Sequence, residues 1–438
     1  MEETIAAIST PPGEGAVALI RVSGPGAQEV AQAILRRSGR PMTLVARKAT
    51  LCDVVESDRV VDEVLATWFQ KPASFTGEDV LEIACHGGIL LAAQILEIVL
   101  RAGARAAEPG EFTRRAFLNG RMDLTRAEAV MDLIRARTPL ALRAAAEQLR
   151  GRLGDEIAAI RADLLELVVH VEAWIDFPEE GIDPATGAAL LSKVNAAVGR
   201  IENLLATATE GRILREGVRV AIVGKPNAGK SSLLNRLLGL ERAIVSPVPG
   251  TTRDTIEESA CLNGILFRLT DTAGLRETED PVEREGVARS RRAIENADLI
   301  LHVVDASDFH EDPELGTNEI LVANKCDIGG PVPEHAQKVS ALTGEGLDAL
   351  VRKMASTVGA GHLASGQSLA AVNARHKVLL EQARSSLTAG ATLLKASEPP
   401  ELTAIELRSA LDAVGRIIGT ADTEEILGGI FGTFCIGK

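Results

Sequence analysis

The chain has no tyrosine, two tryptophans and nine phenylalanines, so aromatic residues are 3% of its 438 positions. So few flat faces argue against a protein that holds single-stranded nucleic acid on stacking platforms. Basic charge is also short: 47 Lys and Arg face 61 Asp and Glu, for a net charge of −14. A free-standing protein that coats nucleic acid by charge alone is disfavoured. The five cysteines (Cys52, Cys85, Cys261, Cys326, Cys435) show no C-x-x-C and no zinc spacing. An odd number with no secretory signal predicts free thiols in a reducing compartment. The opening MEETIAAIST has neither a basic segment nor an apolar core of a leader. No apolar run reaches the ~18 residues of a membrane span; the richest, Ile89 to Leu100, carries Gln94 and Glu97. A soluble, cytoplasmic protein with no membrane association is expected. The 46% hydrophobic and 25% charged content is ordinary for a globular protein, and the length suits roughly two to four domains.

The remainder is organised around Val218 to Asn235, VRVAIVGKPNAGKSSLLN. Val218 to Val223 reads as a buried strand, and Leu233, Leu234, Leu237 and Leu238 recur at helical spacing. Between them, Gly224 to Ser231 fits G-x-x-x-x-G-K-[ST]. Glycines let such a loop curl its N–H groups inward, and the following helix adds the positive end of its dipole. Lys230 can reach terminal phosphates and Ser231 can ligate Mg²⁺. The loop predicts a nucleotide phosphate site that includes Asn227, Ala228, Gly229, Lys230, Ser231 and Ser232.

Residues 1–118 read as a mixed α/β domain, with strands over Ala16–Val22 and Val80–Cys85 and a helix over Ile89–Leu100. From 119 to 212 the pattern is helical: Leu124, Ala127, Met131 and Ile134 share a face. Leu149, Leu153, Ile157, Ile160, Leu164, Leu167, Val171 and Trp174 then predict one long amphipathic helix. Another helix is expected over roughly 187–209. Between 101 and 152 eleven arginines face six acids, either solvated helix faces or a site for an anionic partner. Residues 213–358 alternate strand and helix as a doubly wound parallel sheet does, with strands at Ile265–Thr270, Leu299–Val304, Glu319–Ala323 and Ala336–Val339. The tail, 359–438, is helical again and short for a core of its own. One helical domain made of 119–212 and 359–438, interrupted by the nucleotide domain, is the economical expectation.

Four later segments decide the nucleotide. Gly250-Thr251-Thr252 offers hydroxyls to Mg²⁺ near a γ-phosphate, and Asp271-Thr272-Ala273-Gly274 ends a strand with a carboxylate and a glycine N–H. Asn324-Lys325-Cys326-Asp327 can read guanine, Asp327 accepting from its N1–H and exocyclic amine, where adenine offers no such donor pair. Ser340-Ala341-Leu342 supplies an N–H for the guanine oxygen. In this order and after these strands, the segments resemble the Ras-like GTPases. One position departs: Leu275 stands where those proteins usually carry the Gln that orients the attacking water. Glu277, Glu279, Asp280, Glu283 and Glu285 follow, and the residues alone do not choose among them. Asn227 reads either as a turn-former or as an amide that binds a monovalent cation, supplying the positive charge that other GTPases take from an arginine.

The whole chain resembles the MnmE (TrmE) family of tRNA-modification GTPases. The stretches that carry the likeness are TPPGEGAVALIRVSG, SFTGEDVLEIACHGG, EPGEFTRRAFLNGRMDLTRAEAV, the GTPase motifs and the final FCIGK. The resemblance implies an N-terminal α/β dimerisation domain similar to folate-dependent aminomethyltransferases, a discontinuous helical domain, and an inserted Ras-like P-loop G domain. It implies a homodimer working with the flavoprotein MnmG (GidA) in a heterotetramer to place an aminomethyl-type group on C5 of the tRNA wobble uridine. It further implies potassium-dependent GTP hydrolysis on dimerisation of the G domains. By position, Asn227, Ser246, Val248 and Thr251 match its K⁺ ligands, Ser231 and Thr252 its Mg²⁺ ligands, and Glu283 its water-orienting residue. Pro247, Pro249 and Gly250 complete the GTP-binding stretch. Arg21, Glu82, Arg121 and Lys438 match the family's 5-formyltetrahydrofolate site, with Arg121 where a Lys is found in a family member, and Cys435 matches a cysteine proposed to matter for modification. The competing expectations are a ribosome-assembly GTPase, which should add an RNA-binding module, and a purely regulatory switch.

Overall fold

The computed structural model describes residues 3–176, 187–240, 258–271, 292–309, 313–360, 372–420 and 424–438. It divides into two compact units, 1–131 with 418–438, and 132–417.

The first unit is built on an eight-stranded sheet in the order β4-β3-β5-β6-β7-β2-β1-β8. Its strands are β1 (Ile5–Ile8), β2 (Val17–Ser23), β3 (Leu35–Arg37), β4 (Arg40–Pro41), β5 (Thr50–Glu56), β6 (Arg59–Phe69), β7 (Val80–His86) and β8 (Arg105–Ala106). Helices α1 (Ala27–Ile34) and α2 (Ile89–Arg101) cover one face, α1 through Val30 and Ile34 and α2 through Ile95 and Val99. Under them lie the inward residues of alternate positions, such as Ile20, Val22, Leu81 and Ile83. The strand period of two therefore sends Arg21 and Glu82 to the opposite face. There α3 (Glu111–Leu118) places Phe112 against Ile5 and Ala7. Helix α4 (Leu124–Arg135) offers Leu124, Ala127 and Met131 to Leu427, Phe431 and Phe434 of the chain's last segment.

In the second unit, α5 (Pro139–Leu149), α6 (Arg152–Asp176), α7 (Gly187–Ala206) and α8 (Ala208–Glu216) precede a six-stranded sheet. Its order is β10-β11-β9-β12-β13-β14, antiparallel only at β10–β11. The strands are β9 (Val218–Val223), β10 (Glu258–Leu262), β11 (Ile265–Asp271), β12 (Leu299–Asp305), β13 (Glu319–Asn324) and β14 (Gln337–Lys338). Helices α9 (Lys230–Leu240) and α10 (Leu347–Thr357) pack on it through Leu233, Leu237, Leu350 and Met354. After 372 come α11 (Ala374–Ala396) and α12 (Pro400–Ile418), and in the first unit α13 (Glu424–Phe431). Helix α11 packs along α7, and Arg408 of α12 pairs with Glu172 of α6 at 2.6 Å.

Two expected helices are divided differently. Leu149 closes α5, and the chain turns at Arg150–Gly151, where Gly151 has φ +104°, before α6 begins. The apolar stripe runs through the break because both helices bury the same side. The helix expected over 187–209 ends at Ala206, and α8 starts two residues later. All five cysteines are free. Among the described residues no helix is long and apolar enough to cross a membrane.

Candidate functional site

Strands β9, β11, β12 and β13 run parallel, so their carboxyl ends meet at one edge, where ligands bind in such sheets. Gly224 leaves β9 at φ +149°, and a Cβ there would stand 2.1 Å from the carbonyl oxygen of Val303 on β12. Only a residue without a side chain lets the loop pass over the neighbouring strand. Asn227 takes the left-handed conformation, φ +67°, which asparagine tolerates better than most residues. Its side chain is exposed. Lys230 is 8% exposed and its Nζ donates to the carbonyls of Gly224 (2.9 Å) and Lys225 (3.0 Å), across the mouth of the loop.

Ser231 Oγ donates to Asp271 Oδ2 at 2.7 Å, which joins the start of α9 to the end of β11. Asp271 Oδ1 is buried without a hydrogen-bond partner among the described residues. A hydroxyl and a carboxylate side by side, with acceptor capacity to spare, are a donor set that suits Mg²⁺.

Gly229, Ser232, Asn324, Lys325, Asp327, Ser340, Ala341 and Leu342 line a cavity of about 200 Å³. Asn324 is 2% exposed and works as a staple: its Nδ2 donates to the Ala228 carbonyl (3.0 Å), and its Oδ1 accepts from Ala341 N–H (3.0 Å). It ties the phosphate loop to the Ser340–Leu342 loop and leaves Asp327 as the carboxylate on the cavity wall. Lys325 Nζ pairs with Asp305 at 2.5 Å, and that hydrogen bond holds the Asp305 carboxyl below its usual range. The sequence reading missed Asp305, although it ends a strand beside the motif and could have been found by that position.

Of the residues expected at the nucleotide, the structure brings together Asn227, Ala228, Gly229, Lys230, Ser231, Ser232, Asp271, Asn324, Lys325, Asp327, Ser340, Ala341 and Leu342 on one sheet edge. Ser246, Pro247, Val248, Pro249, Gly250, Thr251, Thr252, Thr272, Ala273, Gly274, Leu275 and Glu283 lie outside the described residues.

A second constellation stands on the open face of the first unit's sheet. Arg21 and Glu82 are paired across β2 and β7, Arg21 Nε to Glu82 Oε1 at 2.9 Å and Nη2 at 2.8 Å. The guanidinium lies 5.5 Å from the Phe75 ring centroid and 5.8 Å from that of Phe112, within cation–π range. Its Nη1 donates to the carbonyl of Gly437 at 3.5 Å, and Ser9 Oγ donates to the same oxygen at 3.1 Å. Gly437 has φ +95°, and a Cβ there would meet the Ile8 carbonyl at 2.6 Å, so the tail lies directly on β1. Lys438 is thereby held near Arg21: burial, then the Arg21 charge, pushes its ammonium below the ordinary lysine range. Arg121 is exposed, and its stem lies over Gly77, two residues from Phe75. Cys435 is exposed, and its carbonyl accepts from Gly110 N–H at 3.4 Å.

Behind this site runs a buried polar network. Ser23 Oγ donates to Glu78 Oε2 at 2.6 Å, Arg115 binds both Glu78 oxygens at 3.1 and 3.0 Å, and Arg115 Nη2 reaches Glu111 at 3.1 Å. Arg105 grips Glu111 with two bonds, of 2.6 and 2.9 Å. Burial raises the Glu111 carboxyl, but the bonds from Arg105, Glu108 N–H and Arg115 outweigh it and hold it at about 2. This network fixes α3, and with it Phe112. It also answers the arginine-rich stretch of the sequence: Arg101, Arg105, Arg115, Arg126 and Arg150 all have carboxylate partners within the chain. Five of the island's eleven arginines are thus engaged in internal ion pairs. Phe75, Phe112, Glu78 and Ser9 had no sequence signal beyond lying in or near the family stretches.

Comparison with known proteins covers the full length. The family "GTP-binding protein TrmE N-terminus" matches residues 4–121, and the family "MnmE helical domain" matches residues 124–435. The tRNA modification GTPase MnmE of Akkermansia muciniphila is 46% identical over all of this chain and 99% of its own length. The proteins of that name from Geobacter metallireducens and Geobacter sulfurreducens are 46% and 47% identical, each over the full length of both chains. The chain belongs to the MnmE family of tRNA modification GTPases. As a member of the MnmE family it is a GTP hydrolase that acts in tRNA modification. The nucleotide edge and the arginine–lysine constellation are two separate groups of side chains in this MnmE-family chain.

Proposed function

We propose that this chain is a potassium-dependent GTPase which, with a flavoprotein partner of the MnmG (GidA) type, installs an aminomethyl or carboxymethylaminomethyl group at C5 of the wobble uridine of certain tRNAs. The observation that carries the reading is the sheet edge that gathers the phosphate loop, Asp271 and the Asn324–Asp327 and Ser340–Leu342 loops, in a chain homologous to MnmE over its full length.

GTP lies with its phosphates in the Gly224–Ser231 loop and its guanine against Asp327. Ser231 and Thr252 would hold Mg²⁺, with Asp271 beside it, and the ion would supply positive charge to the phosphates. Asn227, with Ser246, Val248 and Thr251, would hold K⁺, which would supply the charge that other GTPases take from an arginine. Lys230 donates to the terminal phosphates. Glu283 orients the water in place of the Gln that Leu275 replaces. Water attacks the γ-phosphorus, the bond to the β-γ bridging oxygen breaks, and GDP and phosphate leave. Two chains pair through the N-terminal domains (1–118), and their G domains (213–358) meet during turnover; the helical domain, 119–212 and 359–438, carries the G domain. The protein works in the cytoplasm.

5-Formyltetrahydrofolate occupies the Arg21, Glu82, Arg121 and Lys438 site. The cations suit the ligand's glutamate carboxylates, and the Glu82 carboxylate suits the donor edge of the pterin. The bound folate supplies the one-carbon unit, while flavin belongs to the partner.

Deletion of the gene should abolish C5-modified wobble uridines in tRNA hydrolysates, and its return should restore them. Intact nucleosides after deletion would sink the proposal in favour of a ribosome-assembly or regulatory GTPase. Separately, GTP hydrolysis should run at least about tenfold faster in KCl than in NaCl, the size of one well-placed charge in a transition state. Equal rates would remove K⁺ from Asn227.

A further inference from the structure

Residues 30–52 contain five basic side chains, Arg36, Arg37, Arg40, Arg47 and Lys48, and no Asp or Glu, in a chain of net charge −14. They form the free edge of the first unit's sheet, where β4 is outermost. The β3–β4 hairpin closes over Ser38 and Gly39, at φ +51° and +73°, as a two-residue turn of the primed type requires. Its register sets Arg37 directly opposite Arg40, so two guanidiniums leave one face of the hairpin tip. Like charges directly opposite destabilise a ladder, yet among the described residues neither arginine has a carboxylate partner.

Arg36 is a different case, because its Nη1 turns back to the carbonyls of Gln32 and Leu35, both at 2.9 Å. Arg47 is anchored by its backbone N–H on the Trp68 carbonyl (2.7 Å) and by Nη2 on Ala73 (3.2 Å). Lys48 follows it, two residues before β5 begins at Thr50. Since β3 runs antiparallel to β5 with Arg36 opposite Asp53, the hairpin tip and Lys48 lie at the same end of the sheet. Arg37, Arg40, Arg47 and Lys48 are all exposed. That end is also where Thr67, Glu82 and Arg21 form a row across β6, β7 and β2. At about 4.8 Å per strand spacing, Arg37 on β3 is three spacings and Arg40 on β4 four spacings from Glu82 on β7, roughly 14–19 Å, and both take the opposite face of the sheet.

We infer that this edge, through Arg37, Arg40, Arg47 and Lys48, takes the phosphate backbone of tRNA. The inference rests on the tRNA-modification reading above. An acidic chain repels a polyanion at long range, so binding needs a local patch that lacks carboxylates, and this segment supplies one. Edge charges also stop a sheet from pairing with another chain, and for that purpose either sign serves. Charge reversal separates the two roles.

The test uses the full-length chain with Arg37→Glu, Arg40→Glu and Lys48→Glu combined, and labelled tRNA titrated by fluorescence anisotropy from 50 to 200 mM KCl (conditions of roughly the range over which phosphate neutralisation is read). Reversal should weaken binding at least about tenfold and flatten the log–log salt dependence by about three, one for each phosphate that no longer meets a cation. The melting temperature should hold, because the edge stays charged. Should the triple variant melt early, Arg37→Gln with Arg40→Gln is measured in the same way, with a flattening of about two. Unchanged affinity and slope would overturn the inference, as would a wild-type chain with no salt-dependent tRNA binding. Retained tRNA binding with impaired association of the flavoprotein would also overturn it, making the edge a protein surface. Wobble-uridine analysis keeps the two failures apart. If deletion removes the modified nucleosides and the triple variant restores them fully, the function stands and this surface does not.

Discussion

Eight consecutive residues, Gly224 to Ser231, form the phosphate loop, whereas the arginine–lysine site draws on positions 21, 75, 82, 112 and 438. The first presents mainly backbone N–H groups, whose direction is set by local dihedrals. The second presents side chains, whose placement is set by sheet register, by the α3 network and by a tail lying on β1. A loop of the first kind fails when one local angle or its lysine is altered. A site of the second kind fails when any distant support moves, even one that touches no ligand.

The largest effect that bears on this contrast is expected from Lys230→Ala. Removing an ammonium that serves two acceptors should weaken GTP binding roughly 100-fold or more, since each charged hydrogen bond contributes about 1.5–3 kcal/mol. Calorimetry checks it, with folate affinity measured on the same protein. A matching loss of folate binding would show that the two sites are not built independently.

Glu111→Gln comes next. It leaves Arg105 and Arg115 short of a buried charge, a change that costs about 3 kcal/mol. The sign with pH follows from the depressed carboxyl. Held at about 2 in the fold against ~4.3 in the open chain, it stabilises fully above the unfolded value, and the contribution fades as pH falls toward the folded one. Urea melts at pH 6, 4 and 3 should show wild-type stability falling across that window, with a flatter profile for Glu111→Gln. An identical slope would remove Glu111 as the acid-sensitive support.

The smallest effect is expected from Gly437→Ala. Its Cβ would press on the Ile8 carbonyl and lift the last residues from β1, weakening 5-formyltetrahydrofolate binding about tenfold by moving Lys438, the worth of one charged hydrogen bond. Equilibrium dialysis with the folate measures it. Unaltered affinity would show that the terminal lysine is not placed by the tail's seat on the sheet.

How much of this could be read without coordinates differs between the two regions for the same reason. Strand β9 runs from Val218 to Val223, the bounds the apolar run predicts, and β11, β12 and β13 each end one residue beyond expectation. Buried parallel strands are continuous apolar runs, so composition marks them. The β5–β6 hairpin, Thr50 to Phe69, was not anticipated, although it has a tight turn at Ser57–Asp58 with both φ positive. Asp53 and Glu63 pair on its open face, and Asp62 stands opposite the core residue Val54, so charges dilute the apolar alternation. The α5–α6 break was hidden because a stripe at helical spacing continues across it.

Order along the chain determined the nucleotide class: a glycine loop after a strand, then Asp271, Asn324–Asp327 and Ser340–Leu342, each a short local pattern with its own chemistry. Family likeness pointed to Arg21, Glu82, Arg121 and Lys438 without saying what holds them. Only the tertiary structure decided that Arg21 is clamped between Phe75 and Phe112, that Asn324 is a staple between two loops, and that five arginines of the island are paired with the chain's own carboxylates. Those interactions join residues up to 96 positions apart, and the Ser9–Gly437 bond that seats the tail spans 428. Periodicity and motif spacing report on neighbours within a turn or a strand, whereas long-range pairs are fixed by register and packing, which appear only once the sheets are assembled.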